Sequence, residues 1–362
     1  MKHRRALTAQ RAVRIFCWLV STLIPGNPLL DVFGRPLQDL RISVIDSCNF
    51  RCPYCMPAET FNQDYRFLKP EDLLTFEEIT RLVRIFARRG VVKVKLTGGE
   101  PLLRPWLPEL VRSLSLIGGI EDLALITNGA HLARMAHSLR AAGLTRMTVS
   151  LDSLDESTFA RMNGRAHRLA PVLRGLEAAA ASGFQGIKLN TVVIRGLNDH
   201  QALDMVRRFR CTGHIVRFIE FMDVGNRNGW RPELVVPSRE TMETISAEFP
   251  LEPVAPAYRG EVASRYRFTD GQGEIGFISS VSQPFCSTCT RIRLSAEGKL
   301  YTCLFAGKGF DLRGPMRRGA EDAELLSLIE MLWKHRVDRY SEKRGGPAGS
   351  SQEKVEMYHI GG

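Results

Sequence analysis

Six of the eight cysteines in this 362-residue chain form two triads, Cys48-x3-Cys52-x2-Cys55 near the start and Cys286-x2-Cys289-x13-Cys303 near the end. Each triad offers three thiolates. A structural zinc or a fully protein-ligated iron–sulfur cluster takes four ligands, so the pattern points to two [4Fe–4S] clusters, each with one iron open for chemistry. The alternative is a zinc loop that borrows a distant fourth ligand. Arg291 and Arg293 follow the second triad two residues apart. On a strand both guanidiniums share one face beside the metal, either as an anion seat or as a solvated basic edge.

The first loop, Asp46-Ser47-Cys48-Asn49-Phe50-Arg51-Cys52-Pro53-Tyr54-Cys55, with an aromatic residue before its last cysteine, resembles the radical S-adenosylmethionine (SAM) superfamily. The resemblance implies that SAM chelates the open iron and that an electron from the cluster breaks its sulfonium bond. Gly98-Gly99-Glu100-Pro101 suits the same cofactor, because two glycines let backbone carbonyls approach a ligand amine. Asn128 and Ser150 are polar candidates for contact with it, or strand-end hydrogen bonders.

These motifs need a scaffold. Short β-branched runs at Ile42–Ile45, Val91–Leu96, Asp122–Ile126, Met147–Leu151, Ile187–Ile194 and Ile215–Ile219 alternate with stretches of helical period such as Glu77–Arg89, Ala130–Ala142 and Val172–Ala181. Right-handed βαβ crossovers then give an α/β fold, a partial (β/α)6 TIM-type barrel with a smaller C-terminal cluster-binding domain. The Cys48 loop, Thr97–Pro101, Thr127–Gly129, Asp152 and Glu220–Met222 each follow a predicted strand, at the C-terminal rim where barrels carry function. The expected divisions are an extension at 1–32 outside the fold, the barrel at 33–225, the C-terminal domain at 226–342, with a helix around Glu324–Lys334, and a flexible tail at 343–362 ending in Gly361-Gly362.

The composition, 44% hydrophobic and 25% charged, is that of a soluble folded protein. Of the net charge of +11, a surplus of five lies in residues 1–35, and the remaining +6 suits an anionic small substrate at least as well as nucleic acid. Clustered cysteines in a chain of this length indicate metal ligation in a reducing compartment, the cytoplasm. Cys17 and Cys211 read as small buried hydrophobes. The basic residues before Ile15–Val20 resemble a signal peptide, but the run is too short to span a bilayer and export would not suit open-site clusters.

From Phe33-Gly34-Arg35-Pro36 to Gly361-Gly362 the chain resembles the molybdenum cofactor biosynthesis protein A family, the GTP 3′,8-cyclases. Arg217–Met222, Phe285–Arg291 and the terminal glycine pair carry that resemblance beside the first loop and Thr97–Pro101. It implies hydrogen removal from C3′ of GTP and attack on C8 of guanine, giving 3′,8-cyclo-7,8-dihydro-GTP, with the purine held at the second cluster. By position, Tyr54, Gly99, Ser150 and Met222 correspond to SAM contacts. Arg41, Lys95, Lys188, Arg291, Ile292 and Arg293 correspond to GTP contacts, with Arg217 a further basic rim residue, and the tail enters the site. Ser47 and Lys95 stand where Arg is common, and Ile126 where Thr is. The implied partners are a flavodoxin- or ferredoxin-type electron donor and a downstream cyclic pyranopterin monophosphate synthase, with no nucleic acid or membrane, in a monomer or homodimer. Two competing readings are a radical SAM peptide-modifying enzyme with an auxiliary cluster and a zinc-ribbon nucleic-acid binder. A GTP-derived product separates the first, and zinc without acid-labile sulfide would favour the second.

Overall fold

The computed structural model describes residues 28–344 and 353–361. Cys17, the 15–20 run, residues 345–351 and Gly362 lie outside them. Strands β1 (Asp39–Ser43), β2 (Lys93–Thr97), β3 (Asp122–Thr127), β4 (Arg146–Ser150), β5 (Lys188–Val193) and β6 (Ile215–Glu220) alternate with helices α1 (Phe76–Ala87), α2 (Leu107–Ser115), α3 (Leu132–Ala141), α4 (Glu156–Asn163), α5 (Ala170–Ala181) and α6 (Ala202–Phe209). The C-terminal region adds α7 (Ser238–Ser246), β7 (Leu251–Val254), β8 (Ser264–Phe268), β9 (Glu274–Ile278), β10 (Arg291–Leu294), β11 (Lys299–Tyr301), β12 (Phe310–Asp311), α8 (Arg313–Arg317), α9 (Asp322–Lys334) and α10 (Met357–Ile360).

All twelve strands form one sheet in the order β12-β11-β10-β1-β2-β3-β4-β5-β6-β9-β8-β7. β10 runs parallel to β1 and β9 parallel to β6, so the C-terminal region extends the barrel sheet at both edges. The two ends, β12 and β7, do not pair, and the barrel is partial. Strand alternation sorts the residues: Leu40, Ile42, Val94, Leu96, Leu125, Leu189, Phe218, Ile292 and Leu294 are buried in one continuous apolar core. Their neighbours Arg41, Lys95, Lys188, Arg217 and Arg293 line the opposite, concave face. Helix α1 shows how the outer layer is fixed. Thr75 and Glu78 close a capping box, and Ile79, Leu82, Val83 and Phe86 face the core.

Two details differ from the sequence reading. Residues 29–31 belong to the fold, because Leu29 packs in the core and the buried Asp31 carboxylate pairs with the guanidinium of Arg35 at 2.6 Å. Cys211 is exposed, since it falls in the turn between α6 and β6 rather than on an apolar face.

Candidate active site

The first cysteine loop leaves the C-terminal end of β1 and is held from several sides. The buried Arg51 donates through Nε to the Phe61 carbonyl at 2.6 Å and through Nη1 to the carbonyls of Cys48 and Phe50 at 2.7 Å each. The Asn128 amide donates to Asn49 Oδ1 at 2.8 Å and to Cys48 Sγ at 3.8 Å, and the Phe50 N–H donates to the same sulfur at 3.3 Å. Tyr54 donates its hydroxyl to Asp152 Oδ2 at 2.8 Å. Gly98 and Gly99 have a packing reason as well, since a Cβ on either would collide with the backbone of Ile45 or Ser47 at the root of the loop. Glu100, raised to about 7 by burial, accepts from Thr127 Oγ1 at 2.6 Å and the Asn128 N–H at 2.7 Å, locking the ends of β2 and β3 together.

Burial, reinforced by Glu100, pushes the Cys48 thiol up to about 12, and burial likewise raises Cys52 and Cys55. Bare thiolates are therefore costly here, and a cationic metal centre supplies the charge that ionises them. All six triad cysteines are free thiols, a soft donor set suited to iron–sulfur ligation. Among the described residues no three His, Cys, Asp or Glu side chains converge on a single-ion position.

The second triad lies at the other end of the sheet. Cys286 and Cys289 precede β10 and Cys303 follows the antiparallel β11, so all three sit at the N-terminal end of the parallel strands. With a rise of ~3.3 Å per residue, the five-residue β1 separates the two triads by roughly 15 Å. Cys289 Sγ accepts from Arg291 Nε at 3.3 Å and Arg336 Nη2 at 3.1 Å. Burial opposes its ionisation, but these two guanidiniums outweigh it and bring the thiol down to about 6. Burial raises Cys303 to about 11, and its sulfur accepts the Phe305 N–H at 3.5 Å. Two buried guanidinium nitrogens here, Arg35 Nη2 and Arg336 Nε, have no hydrogen-bond partner and remain available as donors.

A cavity of about 370 Å³ is lined by Cys286, Cys289 and Cys303 and runs along the concave face of the sheet; the cysteines of the first triad are not among its lining residues. Its walls are layered by strand register. At the second-triad end, Arg291, Asp39, Lys93 and Asp122 alternate in sign across β10, β1, β2 and β3. In the next layer Arg293, Arg41 and Lys95 are direct neighbours with no carboxylate between them. Like charges side by side on one face are destabilising until an anion joins them. Burial together with the neighbouring cations lowers Arg41 and Arg217 to about 10 and Lys188 to about 8, and pulls Lys95 and Arg293 down as well. Arg217 is aimed by Asn190 Oδ1, at 3.0 and 2.7 Å from Nε and Nη2. Ile126 and Met222 add apolar wall, and Ser150 shares the face through its register with Asn190.

Ile292 is the exception among the GTP candidates, and of the SAM candidates Met222 alone is among the cavity's lining residues. The Ile292 side chain is fully buried in the core on the far face of β10, because strand alternation turns it away from the cavity that Arg291 and Arg293 line. The tail is brought to the cavity: Gly361, at φ 69°, presses against Thr97, where a Cβ would collide, and its carbonyl accepts from the Arg293 guanidinium.

Several residues that hold this site were not singled out from sequence. Asp223 accepts from Lys354 Nζ and Arg344 Nε, both at 2.9 Å. Asn226 exchanges two hydrogen bonds with the Lys354 backbone, at 2.6 and 3.1 Å, so the tail is clamped before it turns inward. Asp31, Arg35 and Arg336 back the second triad. The Asp31–Arg35 spacing around a glycine turn was the available signal for the last group, whereas Asp223 and Arg336 carry none without their distant partners.

Residues 42–209 match the radical SAM superfamily model and residues 214–342 the Molybdenum Cofactor Synthesis C model. A GTP 3′,8-cyclase of Acidothermus cellulolyticus is 50% identical over 360 residues, covering 93% of this chain and 99% of that protein. One from Xanthomonas campestris pv. campestris strain 8004 is 52% identical over 339 residues, covering 94% and 99%. One from Staphylococcus epidermidis is 48% identical over 335 residues, covering 92% and 98%. Among solved structures, Streptococcus suis SuiB gives a TM-score of 0.57 at 13% identity, covering 84% of this chain and 68% of SuiB. The SAM-bound SuiB structure gives 0.53 at 15%, covering 81% and 64%, a likeness of fold alone. A chain that carries both cysteine triads on one partial barrel, and is half identical to these relatives over nearly its whole length, belongs to the GTP 3′,8-cyclase family of radical SAM enzymes.

Proposed function

We propose that this chain converts GTP to 3′,8-cyclo-7,8-dihydro-GTP, the first step of molybdenum cofactor biosynthesis. The observation that carries the reading is the uncompensated layer of Arg293, Arg41 and Lys95 in a cavity lined by the second three-thiol site, with the first three-thiol loop following the opposite end of β1. When bound, a [4Fe–4S] cluster at Cys48, Cys52 and Cys55 together with SAM supplies the one-electron chemistry that removes hydrogen from C3′.

The chain's own residues bind and orient. Arg41, Lys95, Lys188, Arg217, Arg291 and Arg293 neutralise the triphosphate, the guanidiniums as two-pronged donors and the lysines as point charges. Ile292 contributes through its backbone only. Cys286, Cys289 and Cys303 would hold the second cluster, which would supply an open iron for guanine, and Ile126 and Met222 keep water from the reacting carbons. At the rim Gly99, Ser150 and Met222 meet SAM, while Tyr54 and Asn128, whose polar groups are engaged by Asp152 and Asn49, position the loop that carries it. Gly361 closes the cavity beside Arg293.

The reaction draws an electron from outside the chain, for which a small flavodoxin- or ferredoxin-type protein in the cytoplasm is the donor. The product passes to a cyclic pyranopterin monophosphate synthase, and the enzyme works as a monomer or homodimer. No helix among the described residues is long and apolar enough to cross a membrane. The test is anaerobic incubation of the iron- and sulfide-reconstituted chain with SAM, a reductant and GTP, followed by mass spectrometry. A cyclised GTP supports the reading. SAM cleavage without any GTP-derived product would return the chain to peptide-modifying chemistry.

A further inference from the structure

The buried group behind the second triad has a charge pattern that a purely structural clamp does not need. Asp31 and Arg35 are fully buried at their side chains, and that of Arg336 is 2% exposed. Asp31 Oδ2 accepts from Arg35 Nε at 2.6 Å and from Arg336 Nη1 at 3.4 Å, so one carboxylate faces two guanidiniums. The partly exposed Asp338 carboxylate lies 3.6 Å from Arg336 Nε, beyond hydrogen-bond distance. Arg35 Nη1 spans the carbonyls of Cys286 at 2.8 Å and Asp338 at 2.9 Å. Arg336 Nη1 donates to the Cys289 carbonyl at 2.8 Å while its Nη2 donates to Cys289 Sγ at 3.1 Å. Cys289 Sγ, which also accepts from Arg291 Nε at 3.3 Å, is thus the side-chain acceptor that Arg336 reaches beyond Asp31. The first triad differs: the donors to Cys48 Sγ are a backbone N–H and the neutral Asn128 amide, and the buried Arg51 bonds main-chain carbonyls rather than a sulfur, with the buried carboxylates Glu100 and Asp152 nearby.

We propose that Arg336 is a positioning residue of the second cluster, which fixes Cys289 by a charge-assisted N–H···S hydrogen bond and raises that cluster's reduction potential above the value it would have without it. The inference rests on a [4Fe–4S] cluster at Cys286, Cys289 and Cys303. Taking up one electron makes the cluster more negative, and a nearby cation and each N–H donor to sulfur stabilise the reduced form more than the oxidised one. Asp31 moderates the effect by holding both arginines and offsetting one charge.

The experiment is a mediated potentiometric titration, followed by electron paramagnetic resonance, of the full-length reconstituted chain carrying C48A, C52A and C55A, so that only the second cluster reports. Adding Arg336→Met should move the midpoint to a more negative potential, and Arg336→Lys should restore part of the shift. Asp31→Asn, nearly the same shape without the charge, should move it the opposite way and keeps the test open if Arg336→Met does not fold. Four irons and sulfides with a midpoint unchanged in the variants would overturn the role of Arg336. Absence of any cluster in the parent protein would instead refute the second metal centre itself.

Discussion

The Arg293 guanidinium donates to the carbonyl of Gly361, so a strand cation of the cavity grips the last described residue of the chain. The contact ties the tail to the layer expected to meet the triphosphate. Deleting Gly361 and Gly362 should leave folding and iron content intact and cut product formation severely. Gly361→Val should do the same, because its Cβ meets Thr97. The comparison is product formed by full-length and altered chains at equal iron content, and equal rates would reduce the tail to a surface appendage.

The in-register trio makes a two-signed prediction. Arg41→Ala removes the middle charge between Lys95 and Arg293, with no hydrogen bond of its own broken among the described residues. GTP affinity should fall about 10- to 100-fold, the equivalent of roughly 1.5–3 kcal/mol for a charge-assisted bond. Relief of like-charge repulsion should at the same time raise the melting temperature of the ligand-free protein. Calorimetric binding and thermal unfolding of the same preparation read both, and a destabilised variant with unaltered GTP affinity would refute the anion layer.

Much of this was legible in the residues. The triad spacings and the β-branched runs from Ile42 to Ile219 located the barrel strands and the reactive loop, since local alternation and turn residues set both. Ile292 is expected among the GTP contacts from the resemblance, yet the two-residue period that puts Arg291 and Arg293 on one face puts its side chain on the other. The opposite placement of the two triads was not, because it depends on β10 pairing in parallel with β1, a contact between residues some 250 positions apart that no local pattern encodes. The same holds for Arg336 on Cys289 and Lys354 on Asp223.

GTP binding should weaken as the pH rises. Burial, then Arg217 and Arg146, lowers Lys188 to about 8, so the free protein loses this charge just above neutrality. A bound triphosphate favours the protonated amine, so binding takes up a proton wherever the free lysine is neutral. Affinity is flat in this group below its pKa and should be about tenfold lower at pH 9 than at pH 7. Lys188→Met should bind more weakly at pH 7 and lose most of that slope. An identical slope in the variant would assign the dependence to another group.

Iron content separates the two centres. The reconstituted chain should hold about eight irons. C48A, C52A and C55A together should halve that and abolish SAM cleavage, whereas C286A, C289A and C303A together should halve it while SAM is still cleaved. Acid-labile sulfide and deoxyadenosine are the readouts, and SAM cleavage by the first variant would misplace the reactive centre.

The central claim is that a nucleotide bridges two clusters at opposite ends of the parallel strands, and the most direct measurement is cyclisation of GTP by the anaerobic holoenzyme with each triad intact or replaced. The account predicts 3′,8-cyclo-7,8-dihydro-GTP from the intact chain, and from the C286A, C289A and C303A variant SAM cleavage without that product. Cyclised GTP formed at the parent rate by a chain without its second triad would contradict it.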